Sequence, residues 1–428
     1  MKIFMVGGAV RDELLGLPVQ DRDYVVVNAS PEHMLALGYR AVGKDFPVFL
    51  HPKTHEEYAL ARTERKSGHG YKGFSFFSSP TITLEEDLQR RDLTINAIAK
   101  AADGTLIDPF NGAADIKARI LRHVGPAFSE DPVRILRVSR FAARYPDFSI
   151  AQQTMSLMND MVSSGEVDHL VSERVWQELS KGLMEKSPAR MIEVLRECGA
   201  LKRLIPELDA LFGVPQRADY HPEVDTGQHT LLALGYAAQE GYGLPVRFAV
   251  LTHDLGKGAT PVDEWPFHHK HEERGIELTE NVCWRLKAPS ECKALALLVA
   301  RYHGLAHRAE ELRASTIVNL LKRTDALRRP ERFLQFLEAC NSDYHGRSGW
   351  EDKPRPYSEH ILLQALEAMR SIDAALIASQ CNDASKIPAR LHEKRVNAVR
   401  EILSRLVPSE NLQHGVNHAC ASDLTHDQ

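Results

Sequence analysis

Two aspartates separated by one residue, Asp21 and Asp23, stand at the head of the apolar run DYVVV. A strand repeats every two residues, so both carboxylates are expected on one face, with Cα atoms roughly 6 to 7 Å apart. Such a pair repels itself unless cations lie between, and two Mg²⁺ ions about 4 Å apart are the usual arrangement where phosphoryl groups are transferred. Just upstream, VGGAVRDELLG sets Gly7 and Gly8 between a strand and a helix, where backbone N–H groups can approach an anion and Arg11 adds charge. A strand cap and a tight turn would explain either motif alone; side by side they outline a phosphate site.

Histidines and aspartates supply a second constellation: His229, the adjacent pair His253-Asp254, His271, His303 and Asp343. The pair closes the apolar stretch VRFAVLT, which would anchor ligands otherwise costly to bury. Imidazole with carboxylate suits Zn, Ni, Mn or Fe better than Mg or Ca. A bound ion of this kind lowers the pKa of a coordinated water towards about 7 and supplies hydroxide for attack on phosphorus. The full set suits two metals, and a single metal held by His229, His253, Asp254 and Asp343 is the conservative version. Lys257 is placed to hold a phosphate, one of His268 and His269 is expected at the surface, and Gly304 offers no ligand.

Between these groups lies SEDPVRILRVSRFAAR, in which Arg134, Arg137, Arg140 and Arg144 recur at three or four residues and so form one stripe of a helix. The intervening Val, Ile, Leu, Phe and Ala pack that helix, and guanidinium groups stacked beside a core need an anion. Asp131 before Pro132 reads equally as an ordinary N-cap. From Lys117 to Arg144 seven basic residues face only Glu130 and Asp131, although the 428-residue chain carries a net charge of −5.

The elements that must carry these residues alternate at first: strands KIFMV, DYVVV, VFLH and EEYALART with helices AVRDELLG and PEHMLALG. Helix LEEDLQRRDLTINAIAK follows, N-capped by Thr83, with Asp92 and Asn96 four apart on one face, and DGTLIDPFNG looks like a hairpin. Downstream periodicity is helical, with breaks near Tyr145-Pro146, Pro206 to Pro222 and Gly346 to Pro356. The expectation is an α+β head over residues 1–140, an all-α neck over 141–205, a His-rich helical domain over 221–345 and a helical tail over 346–428, its last residues HGVNHACASDLTHDQ frayed. A hydrophobic fraction of 43% is ordinary for a globular chain, and no apolar run approaches the roughly 18 residues of a membrane span. The six scattered cysteines suggest free thiols, so a cytoplasmic protein is expected.

Gly-Gly with Arg11, the Asp21-Asp23 pair and a further acid on a neighbouring strand resemble the polymerase-β-like nucleotidyltransferases; with RRDLTINA and EDPVRILR the chain is similar to the class II tRNA nucleotidyltransferases that add CCA. The resemblance covers roughly the first 200 residues. It implies that Gly8 and Arg11 contact a triphosphate, that Asp21 and Asp23 hold Mg²⁺, and that Glu57, or alternatively Glu64, is a third carboxylate. It further implies that Arg91 binds nucleotide and that Asp131 and Arg134 read the incoming base, with Arg137 and Arg140 beside them. A carboxylate accepts from the amino group of C and A, which U lacks, so the partners implied are tRNA, CTP and ATP. The histidine set resembles the HD phosphohydrolase superfamily, which in some bacterial CCA-adding enzymes is associated with phosphatase, 2′-nucleotidase and 2′,3′-cyclic phosphodiesterase activity and a transition metal such as Ni²⁺ or Mn²⁺. The alternatives are a poly(A) polymerase-like terminal adenylyltransferase and a non-catalytic RNA-binding protein; a monomer or a homodimer is expected.

Overall fold

The computed structural model describes residues 1–42, 48–66 and 74–406, with the backbone alone at 64–66 and 74–77. The chain divides into two compact units, Met1–Pro206 and the part from Glu207 onward. The first is built on a mixed sheet: β1 (Lys2–Val6), β2 (Asp23–Val27), β3 (Arg40–Val42), β4 (Val48–Leu50), β5 (Glu57–Leu60), with β6 (Arg62–Lys66) and β7 (Phe74–Ser78) forming a separate antiparallel pair, and β8 (Ala99–Lys100) and β9 (Leu106–Ile107) returning to the main sheet. Its order is β3-β4-β5-β2-β1-β8-β9, parallel only between β2 and β5. Val25 to Val27 are apolar without alternation because β2 is covered on both faces there: Val25 and Val27 join one core with Val6 and Leu88, and Val26 joins another with Met34, Phe49 and Tyr58.

Helices α1 (Gly8–Leu14), α2 (Pro31–Ala36), α3 (Leu84–Gln89) and α4 (Gly112–Ala118) accompany the sheet. Two sequence expectations are corrected. EEYALART is two strands, not one, broken at the buried Ala61 so that its halves enter different sheets. The helix begun at Leu84 stops at Gln89 instead of running to Lys100. Its start is as expected, a capping box of Thr83 and Glu86. Its end follows from competition: the Asp92 carboxylate accepts from the Leu93 N–H, Thr94 N–H donates to the Arg122 carbonyl, and Val124 N–H donates to the Asp92 carbonyl. Asp92 and Asn96 therefore do not share an α-helical face, although their side chains meet at 3.0 Å across a 3₁₀ turn.

The rest of the unit is β10 (Ile120–Leu121), paired with β11 (Ser149–Ile150), and helices α5 (Val133–Arg144), α6 (Gln152–Ser163), α7 (Ser172–Leu183), α8 (Pro188–Glu197), α9 (Ala200–Leu204) and the start of α10 (Pro206–Asp209). Helix α5 packs on α7 and α8 and runs through the expected head–neck boundary at 140.

In the second unit, α11 (Thr226–Gln239), α12 (Leu244–Thr252), α13 (Leu255–Gly258), α14 (His271–Leu286), α15 (Ser290–His307), α16 (Ala314–Arg323) and α17 (Pro330–His345) surround the His-rich core, followed by α18 (Tyr357–Arg370), α19 (Ala374–Ser379) and α20 (Ile387–Leu406). Helix α12 is the centre, apolar on all faces except at the buried Arg247, and packed against α11, α15 and α17. The described cysteines are free thiols, four of them buried. Cys420 and the segment HGVNHACASDLTHDQ lie outside the described residues.

The close approach of α13 to α14 rests on Gly256, where a Cβ would meet the His271 carbonyl oxygen at 1.9 Å. Backbone cannot yield as a flexible side chain can, and overpacking of this kind costs about 1 to 3 kcal/mol. Gly256→Ala is expected to lower the denaturant midpoint of unfolding accordingly; an unchanged midpoint would show that the two helices part freely.

Candidate active sites

In the first unit the sheet register assembles the site. Val6 pairs with Asp23, so the chain leaves β1 at Gly7 beside the first residue of β2, and Glu57 stands in register with Asp23 on the other side. Gly7 adopts φ 69° and ψ −127°, a conformation natural only to glycine, and a Cβ there would lie 2.7 Å from an Arg91 guanidinium nitrogen. Because the chain turns away after Val6, β2 has no antiparallel partner before Asp23. Asp21 therefore sits in the preceding loop, and not on a strand face as expected, yet both aspartates line the same cavity of about 710 Å³. Glu57 opens instead onto a neighbouring cavity of about 200 Å³, which it shares with Asp23, Arg62 and Arg91. The side chain of Glu64 lies outside the described residues.

Nine basic side chains and four aspartates line the larger cavity, among them every predicted position from Gly8 and Arg11 to Arg140 except Glu57. Its basic residues are held by protein groups. Arg11, almost fully buried, donates to Asp12 at 2.9 Å and to Asn96 at 2.6 Å and lies 5.2 Å from the Phe141 ring centre. Arg91 pairs with Asp87 and donates to the Asn96 carbonyl. Arg137 donates to Asp92 at 2.7 Å, Arg140 to Glu178 at 2.7 Å, and Arg144 lies 3.3 Å from Asp12. Arg134 is turned to the carbonyls of Ala127 and Arg90. The anion that the arginine stripe called for is thus supplied in part by the fold's own carboxylates. Asp92 is buried, but the Arg137 guanidinium and three donated hydrogen bonds hold its carboxyl well below the usual range.

Asp131 accepts from the Val133 N–H at 3.1 Å and takes both arms of Arg174, at 2.8 and 3.2 Å. Sequence spacing could not reveal Arg174, Glu178 or Lys181, which come from α7, more than 40 residues along the chain. Asp23 behaves differently from Asp92: burial pushes its pKa up, Arg91 pulls it down, and Asp21 pushes it up again. Two carboxylates lining one cavity, with Asp23 raised in part by the charge of Asp21, fit a divalent cation, Mg²⁺ being the ion suited to oxygen ligands of this kind.

In the second unit His229 stands in the first turn of α11, His253-Asp254 at the end of α12, His271 at the start of α14, His303 in α15 and Asp343 in α17. Their ligand atoms form two triads, His229/His253/Asp343 and Asp254/His271/His303, each with all atoms within 4.8 Å of one another. His253, His271 and His303 each turn Nδ1 to a backbone carbonyl, of Val250, His268 and Val299 respectively, which fixes the tautomer and leaves Nε2 facing the cluster. His253 Nε2 and both Asp254 oxygens are buried and make no well-directed hydrogen bond, although Lys257 Nζ stands 2.7 Å and His253 Nε2 3.2 Å from Asp254 Oδ2. Buried polar atoms of this sort, in a set of imidazoles and carboxylates, fit one or two transition-metal ions.

The surroundings include groups that the motif reading missed. His307 lies one helical turn beyond His303 and reaches Asp343 at 2.6 Å. Glu223 approaches His229 Nδ1 at 2.9 Å and is fixed by the Ser348 N–H. Lys257 lies 2.7 Å from Asp254 and donates to Gln216. The i, i+4 spacing of His303 and His307 was a readable signal; the reach of Glu223 was not. His268 is buried and bonds the Pro215 carbonyl, and His269 is exposed. At Gly304 a Cβ would sit 2.6 Å from a Glu272 oxygen, so a neighbouring helix already places a carboxylate there.

Known families account for most of this layout. Residues 3–122 match the model of the poly A polymerase head domain, 147–212 that of a probable RNA and SrmB-binding site of polymerase A, and 226–329 that of the HD domain. The multifunctional CCA protein of Dechloromonas aromatica is 65% identical over 403 residues, covering 94% of this chain and 98% of that one. The chain belongs to the multifunctional CCA protein family. The multifunctional CCA protein of Methylobacillus flagellatus is 60% identical, over 93% of this chain and 97% of that one. Among solved structures, the Thermotoga maritima CCA-adding enzyme complexed with tRNA superposes with a TM-score of 0.63 at 22% identity, covering 95% of this chain and 90% of that one. The Bacillus stearothermophilus CCA-adding enzyme in complex with CTP gives 0.60 at 22% identity, covering 94% and 92%. At that identity the likeness establishes the fold, an α+β nucleotidyltransferase head followed by helical regions. Asp343 of this family member lies beyond the HD match, and α17 brings it to His229 at 3.0 Å. No helix among the described residues is long and apolar enough to cross a membrane.

An ion that binds the folded chain alone stabilises it by about 2.7 kcal/mol at 100 times its dissociation constant. Mn²⁺ or Ni²⁺ is therefore expected to raise the thermal midpoint of this family member and a chelator to reverse the rise, with His253→Ala and Asp254→Ala showing little response. An equal rise in those variants would place the ion elsewhere.

Proposed function

We propose that the first unit adds and repairs the 3′-terminal CCA of tRNA without a nucleic-acid template, using CTP and ATP and releasing pyrophosphate. The observation that carries this reading is the single cavity in which Asp21 and Asp23 face the arginines of α5. Asp21 and Asp23, with Glu57 beside them, would hold Mg²⁺, which when bound activates a 3′-hydroxyl and offsets charge on the phosphates. The work of the chain's own residues is positional. The Gly7-Gly8 turn admits the triphosphate, Arg11 and Arg91 neutralise it, and Arg137 and Arg140 extend the basic wall. Asp131 accepts from the amino group of C or A while Arg134 and Arg174 donate to ring nitrogen or carbonyl. Residues 1–140 act as the head, 141–205 as the neck that carries nucleotide and tRNA contacts, and 346–428 as the tail.

The second unit, with residues 221–345 as its HD domain, acts as phosphatase, 2′-nucleotidase and 2′,3′-cyclic phosphodiesterase. His229, His253, Asp254, His271, His303 and Asp343 would hold the transition metal, Ni²⁺ or Mn²⁺ in class, whose bound water supplies hydroxide. Lys257 neutralises the phosphate under attack. The two activities belong together, because a tRNA end blocked by a phosphate cannot act as nucleophile until its 3′-hydroxyl is restored. The protein works in the cytoplasm, as a monomer or homodimer.

Purified protein incubated with tRNA lacking its last three nucleotides is expected to incorporate C, C and then A from labelled triphosphates; incorporation of A alone, in long runs, would identify a poly(A) polymerase instead. Asp21→Ala or Asp23→Ala should reduce addition by about 100-fold or more and leave hydrolysis of 2′,3′-cyclic phosphate intact, with His253→Ala giving the reverse. Loss of both activities together in a folded variant would sink the two-site reading.

Asp131→Ala is expected to cost about 1 to 3 kcal/mol of discrimination, weakening use of CTP and ATP relative to UTP and GTP. Arg11→Ala should slow all four alike. If Asp131→Ala keeps the order C, C, A and loses only stability, its roles are those of helix start and Arg174 partner, and base selection lies elsewhere.

A further inference from the structure

A cavity of about 720 Å³ lies over the histidine cluster and is larger than a phosphate needs. One part of its lining is His271, His303, Asp343 and Lys257, where a phosphate would meet metal and ammonium. Elsewhere in the lining are Arg217, Tyr220 and Phe267. The two rings are 52% and 58% exposed, unusual for large aromatic side chains, and the Arg217 guanidinium lies 4.6 Å from one ring centre and 5.6 Å from the other. Arginine stacked with exposed rings is a platform that a nucleobase extends, since every base has a π face.

Arg347 supplies a second, independent sign of a ligand. Its guanidinium is stacked 4.9 Å from Trp350 and 5.5 Å from Tyr344, which occupies its faces and leaves its in-plane donors for an oxygen. Its side chain is 11% exposed, its Nε is buried without a partner, and the nearest carboxylate, Asp343, is 3.9 Å away. The group lines the same cavity.

We propose that this cavity is a subsite for the terminal nucleotide of an RNA 3′ end, its base stacked on the Arg217, Tyr220 and Phe267 platform and its 2′-phosphate or 2′,3′-cyclic phosphate held by Arg347 and Lys257. The proposal rests on the HD reading for the chemistry, but the platform itself sets which phosphoesters are taken. Nucleotides bind in preference to phosphoesters of equal charge that have no base.

The test compares 2′,3′-cyclic AMP and adenosine 2′-phosphate with glycerol 2-phosphate, using the full chain supplied with Mn²⁺ or Ni²⁺. Phe267→Ala and Arg217→Ala are expected to raise KM for both nucleotides roughly 5- to 50-fold, with kcat held within about 3-fold and glycerol 2-phosphate unaffected. Phe267→Trp should restore the wild-type KM. Arg347→Met should raise KM for all three substrates. Binding of adenosine 2′-phosphate to His253→Ala by equilibrium dialysis, weakened by adding Phe267→Ala, gives a readout independent of turnover. Equal use of glycerol 2-phosphate and the nucleotides by the wild type would overturn the subsite and leave the hydrolase standing. Nucleotide binding that Phe267→Ala weakens, in a wild type that hydrolyses nothing, would support the subsite and remove the hydrolase. Absence of nucleotide binding would overturn the subsite outright.

Discussion

Like charges crowded into one cavity are the constraint on which the first unit depends. Guanidinium groups gathered for a polyanion repel one another, and a fold that merely collected them would come apart at α5. The observed answer is one carboxylate for nearly every arginine: Asp87 for Arg91, Asp92 for Arg137, Glu178 for Arg140, Asp12 for Arg11 and Arg144, Asp131 for Arg174. These acids come from α1, the segment around α3, the residue two before α5, and α7, so the same ion pairs that neutralise the cavity also fasten the sheet to the helices behind it. Stability and site geometry are set by one set of contacts.

The second unit meets the inverse problem. Asp254 and Asp343 are almost completely buried, and a bare carboxylate at that depth is tolerated only among donors or cations. Five imidazoles and Lys257 surround the two. The helices can bring them together because α12 is predominantly apolar and accepts neighbours all round, while Gly256 lets α13 and α14 touch backbone to backbone. Consecutive residues, His253 and Asp254, serve different triads, so any movement at the end of α12 is felt by both.

What the sequence disclosed follows from how local each signal is. The continuous apolar run of β2, the Thr83 cap and the arginine stripe of α5 are short-range patterns, and each appears where the sequence placed it. The helix drawn through Leu84 to Lys100 was wrong because the pairing of residues 93 and 94 with residues 122 and 123, nearly 30 positions away, competes for the same backbone groups. Asp21 and Asp23 were legible as a pair, but their placement, one in a loop and one in a strand, depends on where β1 turns away. Arg174, Glu178 and Glu223 carry no motif at all; they are ordinary charged residues until the helices pack. The HD ligands were readable by type and order, whereas their division into two triads belongs to the three-dimensional arrangement.

The pairing of Asp131 with Arg174, and of Asp92 with Arg137, bears on how the enzyme would answer to ionic strength. Cations already matched by internal carboxylates carry few condensed counterions, so binding a phosphate there exchanges one partner for another and releases little salt to solution. The steepness of salt dependence would then report not the nine basic side chains of the cavity but the smaller number left unmatched. A site built in this way trades brute attraction for exchange, and it keeps a charged product from being held too tightly to leave.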